Sequence, residues 1–148
     1  MNMSLQQTRE TLLAYAQASL THADTAEFLS DTVVSTIMNT GEEAFGRSAV
    51  AKQIATFQAR ASDLKPKSAI FGEGHAAVEI DFVTTDAITT PYSIICDFHA
   101  GKITAIRFYF AGKVPTFVRR NECRKQGKAK GLAQGGLRSF VRQCLSRG

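Results

Sequence analysis

The sequence predicts an α+β domain in which three N-terminal helices pack on a mostly antiparallel sheet, followed by a basic extension. Three observations predict it. Within residues 1–112, helical spacing of apolar residues is confined to the first 61. Residues 65–110 are four successive runs with strand alternation and turn residues between them. The charge then changes sign: residues 1–112 hold 8 Lys/Arg against 12 Asp/Glu, whereas residues 113–148 hold 10 Lys/Arg and one acid, Glu122. Helices gathered at one end of a run of strands give segregated layers. The predicted order is α-α-β-α-β-β-β-β.

Residues 5–21 set Leu5, Leu12, Leu13, Ala16 and Leu20 on one helical stripe, with Ser4 as the N-cap. A second short helix is predicted over 24–30, capped by Asp24, with Phe28 and Leu29 facing inward. "TVVSTIMNT" (32–40) is β-branched and reads as a strand, and "GEEAFGR" after it as a loop. Ser48 caps a third helix over 49–61, with Val50, Ile54 and Phe57 turned one way. Four strands then follow at 65–74, 75–85, 88–98 and 102–110, with "GEGH" and "HAG" as turns.

The 148 residues are enough for one full core. No apolar run reaches the roughly 18 residues of a membrane span, and the first ten residues lack a signal-peptide core. A cytoplasmic location is expected. The three cysteines, Cys96, Cys123 and Cys144, are widely spaced and form no CxxC pair. His22, His75 and His99 are isolated from one another. Neither set has the spacing of a metal site, and no cofactor is expected.

Three stretches are similar to a known superfamily: "THADTAEFLSDTVV" (21–34), "GEEAFGRSAVAKQI" (41–54) and "FHAGKITAIRFYF" (98–110). In that order and spacing the chain resembles the nuclear transport factor 2-like superfamily. That group includes SnoaL-like polyketide cyclases, ketosteroid isomerases and limonene epoxide hydrolases. The resemblance covers about residues 5–111. It implies a cone-shaped, curved sheet wrapped on the helices, a pocket at the open end, and a homodimer through the outer sheet face. It assigns residues 1–112 to a SnoaL-like cone domain. It does not fix function, because the fold hosts many activities.

Strand alternation predicts which side chains enter the cone. Val78, Ile80 and Phe82 share one face of their strand; Tyr92, Ile94, Cys96 and Phe98 share one face of the next; Ile106, Phe108 and Phe110 share one face of the last. A three-residue loop, His99-Ala100-Gly101, sets Ile94 opposite Ile106 and Tyr92 opposite Phe108, and keeps this apolar face continuous. Asp97, Arg107, Glu79 and Asp81 then lie outside. A two-residue turn at Ala100-Gly101 instead points Asp97 inward.

The resemblance also supplies tests of chemistry. Ketosteroid isomerases need a carboxylate base on the first strand, where this chain has Thr36, and a protonated acid near Ser93 or Ile94, where it has none. Tyr15 falls one residue from the place of their tyrosine, which Ala16 occupies. The Asp–Arg–Asp relay of limonene epoxide hydrolases is broken by Phe108. Asp97 is the remaining catalytic candidate, as the single acid–base residue of a SnoaL-like cyclase. The expected ligand-binding set is Ala16, Thr36, Met38 and Phe57 from the first half. From the sheet it adds Ile80, Phe82, Ile94, Cys96, Ile106, Phe108 and Phe110. The ligand they imply is a small hydrophobic molecule, bound or slowly transformed by an activity that is low or lost.

The tail departs from the family. Residues 113–148 are basic and contain Gly127, Gly131, Gly135 and Gly136, and "LRSFVRQCL" forms a short amphipathic segment. Nucleic acid or an anionic membrane could be met only through this tail. The alternative reading is a non-catalytic dimeric interaction module whose tail contacts an anionic partner.

Overall fold

The computed structural model describes residues 3–21 and 23–112. The predicted basic tail, and the partners expected of it, lie outside the described residues. The chain starts with helix α1, Leu5–Leu20. Ser4 and Gln7 close a capping box at its N-terminus, each side chain taking the other's backbone N–H. A six-stranded sheet follows: β1 Leu29–Ile37, β2 Glu42–Phe45, β3 Ala61–Gly72, β4 His75–Thr84, β5 Thr89–His99 and β6 Lys102–Phe110. Helix α2, Arg47–Gln58, lies between β2 and β3. The spatial order is β2-β1-β6-β5-β4-β3, curved and not closed, with β1 and β6 parallel and every other pair antiparallel.

Several expectations are corrected. The second helix is a single 3₁₀ turn, Ala26–Phe28, so the described residues hold two α-helices rather than three. Its N-cap is Thr25 rather than Asp24; the Asp24 carboxylate, one residue earlier, accepts from the Ala26 N–H at 2.9 Å. Leu29 leaves the turn because it gains more by entering the sheet: it is fully buried and lies beside Ile103. The "GEEAFGR" loop contains β2, an edge strand that pairs Glu42–Phe45 with β1. Its two glutamates are of the kind that keep an edge from pairing further. Gly46, not Ser48, precedes α2. Leu5 is 45% exposed, and the inward position near that end of α1 goes to Thr8. Thr8 donates to Ser4 O and accepts from the Gly74 N–H at 3.0 Å, so α1 is tied to the β3–β4 turn.

The β5–β6 connection is the two-residue turn at Ala100-Gly101 rather than the three-residue loop, yet it does not point Asp97 inward. His99 pairs with Lys102 across a two-residue turn. Ala100 (φ 50°) and Gly101 (φ 78°) both take left-handed backbone, the signature of a type I′ hairpin. Thr104 then bulges out of β6, because Asp97 pairs with Ala105 while Phe98 pairs with Ile103. The extra residue restores the apolar register: Ile94 faces Phe108, Cys96 faces Ile106 and Tyr92 faces Phe110.

The core lies between the concave side of the sheet and the two helices. It includes Leu12 from α1, Val50, Ile54 and Phe57 from α2, and Phe82, Cys96, Ile106 and Phe108 from the strands. Among the described residues no helix is long and apolar enough to cross a membrane.

Candidate functional site

A cavity of about 120 Å³ opens between α1, α2 and the concave side of β3–β6. Helix α1 supplies Leu12, Leu13, Tyr15, Ala16 and Ser19 to it, which fall on one side at helical spacing. Helix α2 supplies Ile54, Phe57 and Gln58. Leu64 and Pro66 close the β3 side, and alternate residues of β4, β5 and β6 form the floor. The aromatic wall continues past the cavity. Phe57 packs on Phe108 and Phe110 with ring centres 5.4 and 5.7 Å apart, Tyr92 stacks on Phe110 at 5.2 Å, and Phe82 meets Tyr92 edge-on at 6.1 Å.

No charged side chain lines this cavity among the described residues. Its polar groups are the hydroxyls of Tyr15, Tyr92 and Ser19, the Cys96 thiol and the Gln58 amide. Burial raises the pKa of both tyrosines. Burial also pushes the Cys96 thiol up to about 12. All three therefore stay protonated at neutral pH and offer hydrogen atoms rather than negative charge. The cavity can solvate a neutral polar atom; it holds no carboxylate or imidazole base.

Seven of the expected ligand-binding residues line the cavity: Ala16, Phe57, Ile80, Phe82, Ile94, Cys96 and Phe108. Ile106 and Phe110 are buried in the core beside it. Thr36 and Met38 are not brought to it. Thr36 lies in register with Arg107, on the outward side of β1, and its neighbour Ser35 is the residue that turns inward. Ser35 is fully buried and donates to Gln53 Oε1. Met38 is 44% exposed, and its N–H donates to Phe108 O at 2.9 Å. Asn39 clips the end of β6, donating from Nδ2 to Phe110 O at 2.8 Å and accepting from the Phe110 N–H at 2.9 Å.

Asp97 stands on the convex face, turned away from the cavity by the pleat of β5. Arg107 grips it with two hydrogen bonds of 2.7 and 3.1 Å, and His75 Nδ1 lies 2.9 Å from the same carboxylate. The Arg107 bonds hold the Asp97 pKa below its ordinary value, against the upward pull of partial burial. This is the environment of a permanently ionised structural carboxylate. An acid–base group at neutral pH needs the opposite shift. Around it the convex face carries Lys67 on Asp81 at 2.8 Å and Ser68 on Glu79 at 2.8 Å.

Tyr15, Ser19 and Tyr92 line the cavity although the ligand-binding set expected from sequence does not include them. A signal was present for each. Leu12, Tyr15, Ala16 and Ser19 fall at i, i+3, i+4 and i+7. Tyr92 shares its strand face with Ile94 and Cys96.

No family model matches the chain, and no curated protein matches it. Solved structures do. A nuclear transport factor 2-like protein of unknown function from Mesorhizobium loti superposes with a TM-score of 0.68 at 14% identity, covering 73% of this chain and 93% of its own. One of the same description from Burkholderia xenovorans gives 0.65 at 18% identity over 79% of this chain and 92% of its own. A hypothetical protein with a ketosteroid isomerase-like fold from Catenulispora acidiphila, solved in complex with trimethylamine, gives 0.57 at 16% identity over 69% and 85%. These likenesses concern the arrangement of the backbone.

Proposed function

Starting from the nuclear transport factor 2-like fold that this chain shares with those structures, we propose that its concave cavity binds a small hydrophobic molecule and that binding, not catalysis, is its main role. One observation carries the reading: a carbon-lined cavity in which, among the described residues, no ionisable side chain is placed to move a proton at neutral pH. Pockets for small ligands are of this kind, mostly apolar with a few polar groups that orient the guest. An activity of cyclase or isomerase type is low or lost on this reading, since proton transfer at carbon needs a base within hydrogen-bond reach. Asp97 would have to act from the far side of the sheet.

The test fills the cavity. Ile80 is half-buried at its edge, where a larger side chain can be added. Ile80→Trp should weaken binding of small apolar probes at least ten-fold in a calorimetric or thermal-shift titration, with the far-ultraviolet spectrum retained. Unchanged binding would place the guest elsewhere and sink the proposal.

We also propose that two copies associate through the convex face. Phe45, Ile70 and Tyr109, respectively 65%, 74% and 40% exposed, all lie on that side of the sheet. Sedimentation should give a dimer that Ile70→Lys shifts toward monomer, whereas a monomer at every concentration would refute the association.

A further inference from the structure

The cavity's size and polar groups narrow the guest, on the binding reading above. A volume of about 120 Å³ is close to the roughly 150 Å³ of an engineered apolar cavity that stays dry and takes up benzene. It matches one ring with a short substituent, not a fused multi-ring skeleton. The walls carry no charge among the described residues, so an ionised guest would lose its water with nothing to replace it.

Two of the polar groups are placed to read a guest. Tyr15 comes from α1 and Tyr92 from β5, and both line the cavity together with Cys96. The Tyr92 ring is fixed between Phe110 and Phe82. The Tyr15 hydroxyl approaches Ser19, yet the Ser19 oxygen closes no well-formed hydrogen bond. The unpartnered buried hydroxyl is that of Ser19, beside Tyr15, and a guest oxygen placed there recovers part of its cost.

From this geometry we infer that the guest is a neutral, single-ring molecule bearing one uncharged oxygen acceptor, which takes a hydrogen bond from the Tyr92 or the Tyr15 hydroxyl. The oxygen lies at the α1–β5 side of the cavity and the ring lies against Phe57, Phe82 and Phe108. Selection works by charge and size first, then by the tyrosine hydroxyls. Burial keeps both phenols protonated, so the selection is insensitive to pH across the neutral range.

Three probes of matched heavy-atom count test this by calorimetry on the full chain: cumene, acetophenone and benzoate. Cumene and acetophenone should bind, and benzoate should not. Tyr92→Phe and Tyr15→Phe keep the ring and remove the hydroxyl. At least one of them should weaken acetophenone about five-fold more than it weakens cumene, the effect of one net hydrogen bond. Equal changes for the two probes in both variants would overturn the inference and leave the binding reading intact, as would benzoate binding as well as acetophenone. Failure of cumene and acetophenone alike would overturn both.

Discussion

Phe82→Ala should cost about 3–5 kcal/mol of folding stability, the range for removing a buried phenyl ring from a core. Phe82 is 1% exposed, the largest of the fully buried side chains. It sits on β4 between Leu64 of β3 and Thr90 of β5 and meets the Tyr92 ring edge-on. The cost should fall in the upper part of the range, because the ring already borders a cavity. The neighbours cannot collapse onto the space it leaves, and the void simply grows. A small domain has roughly 5–15 kcal/mol in total, so the variant should be marginal at room temperature. Urea unfolding measures it, with Glu79→Ala on the outward side of the same strand as the reference. Glu79 is exposed and bonded to Ser68, and its loss should matter by about 0.5 kcal/mol or less. A Phe82→Ala cost under about 1.5 kcal/mol would mean that the assigned inward face of β4 is wrong.

That inward face was legible in the sequence. β4, β5 and β6 alternate apolar with polar residues at a period of two, and a sheet with one dry side admits one register. Local turn chemistry was less legible. The loop preferred from sequence has three residues; the structure uses two and adds a bulge at Thr104. Both devices serve the same continuity of Ile94, Cys96, Ile106 and Phe108, so the face could be read while the turn could not. Thr104 gives no warning, since a bulge is set by what its neighbours need to pair with. The edge strand β2 was hidden for a related reason: "EEAF" has low strand preference and pairs because β1 lies beside it. Residues 24–30 have a helical start signal, Asp24, and the start is real. It is cut short by the burial of Leu29, a tertiary gain that no local preference shows.

The candidate site was legible to the extent that it is apolar. Hydrophobic floor residues announce themselves by period, whereas a hydroxyl in an apolar cavity looks in sequence like a surface group. Tyr15 and Ser19 are of this kind, lining the cavity from α1 beside Leu12 and Ala16. Thr36 and Met38 show the converse error. They are expected in the ligand-binding set, and the pleat of β1 sends Ser35, not Thr36, inward.

Asp97→Ala should destabilise the protein by about 1–2 kcal/mol at pH 7, the scale of hydrogen bonds to a charged group that is only partly solvated. The carboxylate is 28% exposed and Arg107 32%, so water screens the pair without replacing it. The pH dependence follows from the lowered pKa of Asp97. In the unfolded chain the carboxyl titrates near its ordinary value of about 3.9. The folded form releases its proton more readily, so the stabilisation is complete above that value and is lost as pH falls through the folded pKa. The gap between wild type and Asp97→Ala should thus shrink as pH falls below about 4. Urea unfolding of both proteins at pH 7 and pH 3 measures it. A gap that widens on acidification would contradict the ion pair. The same variant separates the two roles that the sequence left open for Asp97. A structural carboxylate on the convex face leaves binding of cumene in the cavity within two-fold of wild type, since no cavity residue loses a partner. A residue working inside the cavity would change the guest's affinity together with stability, and that joint loss would reopen the case for proton transfer.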